Sequence, residues 1–186
     1  MRRLIVFNHV SLDGYFVDGK GDMSWAHAQD QEWNAFVQEN ASGGGELLFG
    51  RKTYDLMASF WPTPGAIQHF PLVAERMNNA PKVVFSRTMD SAPWNNTKLV
   101  KDNIAAEIRK MKEAAGPGMV IMGSGSIVSQ LALENVIDEY QIVVGPVALG
   151  GGRTLFEGIR QKLPLKLSKT RAFSNGNVLL CYEPKG

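Results

Sequence analysis

Eight short runs rich in β-branched and aromatic residues recur along the chain, and most are separated by stretches whose apolar residues fall three and four apart. That alternation constrains the fold more than any other feature. Strands joined through helices pair in parallel, and a parallel sheet must be covered on both faces. The runs are 4–8, 46–49, 82–86, 98–100, 119–122 and 139–144, then 165–173 and 177–183. The last two flank Ser174-Asn175-Gly176, whose Asn-Gly pair supplies the positive φ angles of a tight hairpin, so the sheet is predicted to end in an antiparallel pair.

Helices are predicted over 31–40, 51–59, 104–115 and 126–133 from their apolar spacing. Asp102 is the expected N-cap of the third, and Gly116-Pro117-Gly118 ends it. Gly43-Gly44-Gly45 reads as a flexible connection between a helix and a strand rather than a boundary. With 186 residues and no linker or repeat, one α/β domain covering 1–186 is expected.

Composition narrows the class of activity. The chain is 44% hydrophobic and 20% charged, and no apolar run approaches the roughly 20 residues of a membrane-spanning helix. The run behind Arg2 and Arg3 is too short for a signal peptide, so a cytoplasmic protein is expected. A net charge of +2 with scattered basic residues lacks the stripe of a nucleic-acid binder. The lone Cys181 sits in an apolar run and reads as a small buried hydrophobe more than as a reactive thiol. His9, His27 and His69 have no metal-ligand spacing and read as ordinary loop histidines; no metal site is expected.

The strongest local motif is Met122-Gly123-Ser124-Gly125-Ser126-Ile127, a glycine turn between a predicted strand and a predicted helix. Bare backbone N–H groups at a helix N-terminus bind phosphate, and glycines permit close approach. The alternative is a tight turn that needs glycine only for its backbone angles. It is not a Rossmann fingerprint, because Val128 holds the third glycine position and no acidic residue follows at the required distance. Gly50-Arg51-Lys52-Thr53 forms a second strand-to-helix cradle, and two cradles suggest a dinucleotide. Ser86-Arg87, at the end of another strand, offers a hydroxyl and a guanidinium to a phosphate on an adenosine ribose. Convergence of Arg51 and Arg87 would favour NADPH over NADH; singly, each arginine reads as a solvated surface residue.

Ser11-Leu12-Asp13-Gly14 follows the first strand, and a long loop leads through Gly21-Asp22-Met23-Ser24-Trp25 to Asp30, Glu32 and Trp33. Such loops at strand ends place substrate in α/β sheets. A carboxyl half-buried among aromatic rings would orient a heterocycle or supply a proton. Asp13 and Asp30 are the candidates. The competing assignments are a turn-former for Asp13 and a helix N-cap for Asp30, while Glu32 reads as facing solvent.

In this order, these segments together with Gly145-Pro146-Val147 and Gly150-Gly151-Gly152-Arg153-Thr154-Leu155-Phe156 resemble the dihydrofolate reductase-like superfamily. Within it the chain is most similar to the reductase (C-terminal) domain of the bacterial bifunctional deaminase-reductases of riboflavin synthesis, in stand-alone form. The resemblance implies a three-layer α/β/α fold with a central mixed, mostly parallel sheet. It implies NADPH across the strand ends and a substrate pocket beside the nicotinamide. Arg51 and Thr53, with Gly50, would hold cofactor phosphates; Ser86 and Arg87 would surround the adenosine ribose; Gly123, Ser124, Gly125, Ser126 and Ile127 would take the pyrophosphate. Asn8, His9 and Val10 look like the strand end that receives the carboxamide. Trp25 and Phe156 would touch substrate, and the spacing of Asp30 after Trp25 is similar to that of the substrate-binding carboxylate of dihydrofolate reductases.

The implied activity is NADPH-dependent hydride transfer to a pyrimidine- or pterin-like heterocycle, similar to 5-amino-6-(5-phosphoribosylamino)uracil reductase, in a homodimer. The alternatives are dihydrofolate reduction, or an NADPH-binding module without catalysis. The zinc deaminase half that accompanies many of these reductases needs a Cys and His ligand set that is absent from the sequence.

Overall fold

Leu47, Leu48 and Phe49 are consecutive and all buried, which a strand permits only when both its faces are covered. The computed structural model describes residues 1–26 and 30–185; His27 lies outside them. In chain order the elements are β1 (Leu4–Ser11), β2 (Tyr15–Val17), a 3-10 turn at Ser24–Ala26, α1 (Gln31–Ser42), β3 (Glu46–Gly50), α2 (Arg51–Phe60), α3 (Pro64–His69), α4 (Pro71–Asn79), β4 (Lys82–Phe85) and β5 (Thr97–Val100). There follow α5 (Ile104–Glu113), β6 (Met119–Met122), α6 (Gly125–Leu133), β7 (Glu139–Gly145), β8 (Arg153–Thr154), β9 (Leu165–Ala172) and β10 (Val178–Pro184).

The main sheet runs β5-β4-β3-β6-β1-β7-β10-β9. Strands β5 through β7 are parallel, and β10 is antiparallel to both neighbours. Leu48 packs with Leu4, Val6, Ile121 and the apolar stripes of α5 and α6 on one face. Leu47 and Phe49 point the other way, toward Tyr54 of α2 and Met77 of α4. Trp33 and Phe36 of α1 cover Val143 and Leu179, with Cys181 buried beneath them as a small hydrophobe. Burial of Cys181 pushes its thiol pKa up. The fold is therefore the expected three-layer α/β/α arrangement with a terminal antiparallel hairpin. Among the described residues no helix is long and apolar enough to cross a membrane.

Three details differ from the sequence expectations. No helix was predicted between 60 and 81, yet α3 and α4 lie there. Each begins with a proline, which interrupts a helical pattern in the sequence but is favoured at a first helical position, and Thr63 caps α3 by accepting the Ala66 N–H. The N-cap of α5 is Asn103 rather than Asp102; its backbone is left-handed, which asparagine tolerates, and its side chain accepts the Ala106 N–H. The glycine triplet is exposed at Gly43 and Gly44 but anchored at its last residue. Gly45 is buried against the Gly118 carbonyl and its own carbonyl takes a hydrogen bond from the Arg76 guanidinium.

Lys82 is 1% exposed and has no carboxylate hydrogen-bond partner among the described residues. Its ammonium donates to the carbonyls of Asn78, Ala80 and Asn95 and lies 4.6 Å from the Trp94 ring centre. Burial, with the nearby Arg76 charge, brings its pKa down to about 8. The folded pKa lies below the unfolded one, so holding the proton in the folded state is costly, and that cost disappears as the unfolded amine also deprotonates. The native chain should therefore gain stability relative to Lys82→Met between pH 8 and 10.5, read as the difference in their melting temperatures across that window.

Candidate functional site

β3 and β6 are neighbours in the sheet, so the turns that follow them emerge side by side at its carboxyl edge. There the Gly50 N–H donates to the Ser124 hydroxyl at 2.7 Å, and that hydroxyl donates to Thr53 Oγ1 at 3.0 Å. The two expected cradles are thus one structure. Ser124 adopts φ +68° and Gly123 φ +66°; a methyl at Gly123 would come within 2.9 Å of Thr53 Oγ1, and one at Gly50 within 2.8 Å of the Ser124 hydroxyl. Neither α2 nor α6 has a side chain capping its first turn. Two uncapped helix N-termini converge on one point, an arrangement whose dipoles and open N–H groups favour a pyrophosphate.

One strand further out, Ser86 and Arg87 follow β4 and line a groove of about 560 Å³ shared with Lys101, Asn103, Ile127 and Gln130. Arg51 is exposed at the head of α2 and does not line this groove, so Arg87 and Lys101, rather than Arg87 and Arg51, are its cations. On the other side of β6, Asn8 of β1 lies one residue beyond the Phe7–Met122 pair, level with Gly123. It is 5% exposed, and its Nδ2 has no partner among the described residues. From β4 to β1 is three strand spacings, about 14–15 Å. Val10 is buried in the core, and the His9 ring packs on Trp33 at 5.5 Å and Phe7 at 5.7 Å, on the face covered by α1.

The carboxylates lie beyond β1. Asp13 accepts from the Ser11 hydroxyl at 2.6 Å and from the N–H groups of Leu149 (3.0 and 3.1 Å) and Gly150 (2.7 Å). The Ser11 hydroxyl and these two N–H groups pull its pKa down to about 2. Asp13, for which the sequence offered orienting a heterocycle, supplying a proton or forming a turn, is an acceptor that ties the loop after β7 to the end of β1. Gly152 continues this closure, since any β-carbon there would overlap the Val17 carbonyl.

Asp30 does cap α1, accepting the Trp33 N–H at 2.7 Å through Oδ1. Its Oδ2 is 3.3 Å from the Ser174 hydroxyl on the β9–β10 turn. Glu32, expected to face solvent, keeps 40% of its side chain exposed and is also held at that turn. It accepts from the Ser174 N–H at 2.9 Å and from Arg171 at 3.1 Å, with the Ser174 hydroxyl at 3.0 Å. The Ser174 N–H first, then Arg171, lowers its pKa. Trp25 lies against Gly145, where a β-carbon would stand 3.1 Å from its ring. Phe156 is elsewhere: its ring meets Tyr140 at 5.7 Å, five residues and roughly 17 Å along β7 from Gly145. The structure does not bring Phe156 to Trp25.

Residues 2–179 match the model of the RibD C-terminal domain. The chain belongs to that family. The uncharacterized protein YyaP of Bacillus subtilis (strain 168) is 30% identical to it over 187 residues, spanning 100% of this chain and 96% of its own. A solved structure of a Shewanella sp. PV-4 protein ascribed to riboflavin biosynthesis is 26% identical, with a TM-score of 0.72 and 99% of each chain covered. The diaminohydroxyphosphoribosylaminopyrimidine deaminase/5-amino-6-(5-phosphoribosylamino)uracil reductase of Thermotoga maritima shares the fold at 16% identity and a TM-score of 0.69, over 99% of this chain and 57% of that one.

In this member of the RibD C-terminal domain family, Glu32, Ser174 and Arg171 gather beside Asp30; the sequence marked Glu32 and the Ser174 turn separately but not that they meet. Their partners lie more than 130 residues away along the chain, and only the docking of the hairpin on α1 unites them. The Ser124–Thr53 hydrogen bond was equally hidden, although both motifs were visible. If Asp13 pins the loop, Asp13→Ala should speed hydrogen exchange at the Leu149 and Gly150 amides several-fold with little change in the central strands. Because the folded pKa is depressed, the native latch should hold at neutral pH and fail only as pH falls toward about 2, as followed by the same amides.

Proposed function

We propose that this chain is an NADPH-dependent reductase that transfers hydride to a pyrimidine- or pterin-like heterocycle. The observation that carries this reading is the convergence of the two uncapped helix N-termini through Gly50, Thr53 and Ser124. The Ser86–Arg87 groove lies two strands from the Gly123 turn on one side, and the buried Asn8 amide one strand away on the other. That row matches a dinucleotide in length and chemistry: adenosine ribose and its phosphate at Ser86 and Arg87, pyrophosphate at Gly123–Ile127 and Gly50–Thr53, nicotinamide carboxamide at Asn8–Val10.

Bound there, the cofactor supplies the hydride. The chain's own residues do the rest. Asn8 offers an amide to the carboxamide, while His9 and Trp33 pack together on the opposite face of β1 under α1. Asp30 is the carboxylate that orients the heterocycle. Its Oδ1 is fixed by the α1 N-terminus, and among the described residues Oδ2 is held only by the long contact to Ser174. Asp13 holds the loop wall, and Trp25 flanks the ring. The proposed setting is a cytoplasmic homodimer.

Titration of the protein with NADPH and NADH, followed by tryptophan quenching, tests the cofactor half. NADPH should bind at least tenfold more tightly than NADH, and Arg87→Ala should remove most of that preference while leaving NADH affinity nearly unchanged. Binding of neither nucleotide would defeat the proposal. Asp30→Asn should leave NADPH binding intact and lower turnover of a reducible pyrimidine or pterin by about 10²-fold or more.

A further inference from the structure

The Ser174 hydroxyl, on the β9–β10 turn, lies within reach of two carboxylates at once, Glu32 Oε2 at 3.0 Å and Asp30 Oδ2 at 3.3 Å. A hydroxyl has one hydrogen to give, so it serves only one of them. Glu32 has the stronger hold. The same Oε2 takes the Ser174 N–H at 2.9 Å, which seats that residue against it, and Oε1 takes the Arg171 guanidinium at 3.1 Å. Arg171 is itself placed over the Phe173 ring, 4.5 Å away, and the Phe36 ring, at 5.7 Å. The Ser174 N–H first, then Arg171, lowers the Glu32 pKa, so Glu32 is a charged acceptor at neutral pH.

The direction of that one hydrogen matters because of where Asp30 stands. Its Oδ1 is taken by the Trp33 N–H, and among the described residues Ser174 alone is placed to give Oδ2 a hydrogen. With Asn34, Ala35 and Gln38, Asp30 lines a groove of about 560 Å³ along α1. We propose that Glu32 is a positioning residue: by taking the Ser174 hydroxyl hydrogen it leaves Asp30 Oδ2 open to accept a ring N–H of the heterocycle. The inference rests on the proposed reductase reading, in which Asp30 orients the ring, and adds the residue that keeps that carboxylate open. Glu32→Gln reverses the hydrogen. Arg171 turns the new amide oxygen toward itself, the amide nitrogen then faces Ser174 and donates to its hydroxyl, and the hydroxyl gives its own hydrogen to Asp30.

The full-length chain saturated with NADPH is titrated with 5,6-diaminouracil, a neutral ring carrying N–H groups, as the native chain, as Glu32→Gln and as the double variant Glu32→Gln/Ser174→Ala. Glu32→Gln should bind the probe about fivefold or more weakly, while its NADPH affinity stays within about twofold of native. The double variant has no hydroxyl to turn on Asp30. It should recover most of the lost probe affinity, although it melts no higher than Glu32→Gln. A glutamate that only docks the hairpin predicts the opposite order, since a second lost contact loosens the turn further. Probe affinity in the double variant at or below that of Glu32→Gln, an unchanged affinity in Glu32→Gln, or NADPH binding without probe binding in the native chain overturns the inference. Failure to bind NADPH at all instead overturns the reductase reading on which it rests.

Discussion

The hydrogen bond from the Gly50 N–H to the Ser124 hydroxyl, continued to Thr53, is the contact on which the site depends. It joins two loops 74 residues apart in sequence and holds two helix N-termini at one point. It exists only because β3 and β6 are adjacent and parallel, so both chains leave the sheet at the same edge. The approach is also too close for side chains at Gly50 and Gly123, and Ser124 must take a left-handed backbone to aim its hydroxyl across. The serine that would ordinarily cap its own helix serves the neighbouring loop instead, which leaves the N-terminus of α6 without a side-chain cap.

Beyond β1 three carboxylates that look alike in the sequence have different tasks because their partners differ. Asp13 is surrounded by donors that lower its pKa, and its carboxylate ties the loop after β7 to the end of β1. Glu32 takes a guanidinium, a backbone N–H and a hydroxyl, and its role is to dock the β9–β10 turn on α1. Asp30 spends one oxygen on the helix and keeps the other lightly held. Environment separates the loop latch, the docking group and the candidate for substrate recognition.

The strands and major helices were legible because their signals are local. A parallel sheet covered on both faces leaves continuous apolar runs, and an amphipathic helix leaves its three-to-four spacing. The short helices α3 and α4 were not legible, since a proline at a first helical position looks like a break. The two glycine turns between strand and helix were legible as candidate cradles. Their union was not, because it depends on which strands become neighbours.

The sequence by itself determined the class of fold, the order of its elements, the two glycine cradles and the candidate carboxylates, all of which follow from residue type and spacing within about a dozen positions. The tertiary structure decided which cradle meets which, that Arg87 rather than Arg51 lines the groove beside β4, that Phe156 lies far from Trp25, and what each carboxylate does. Those outcomes depend on pairings across 70 to 145 residues. A local pattern carries no information about a hydrogen-bond partner brought in by sheet order and hairpin docking, and that partner sets the charge state and the freedom of the group.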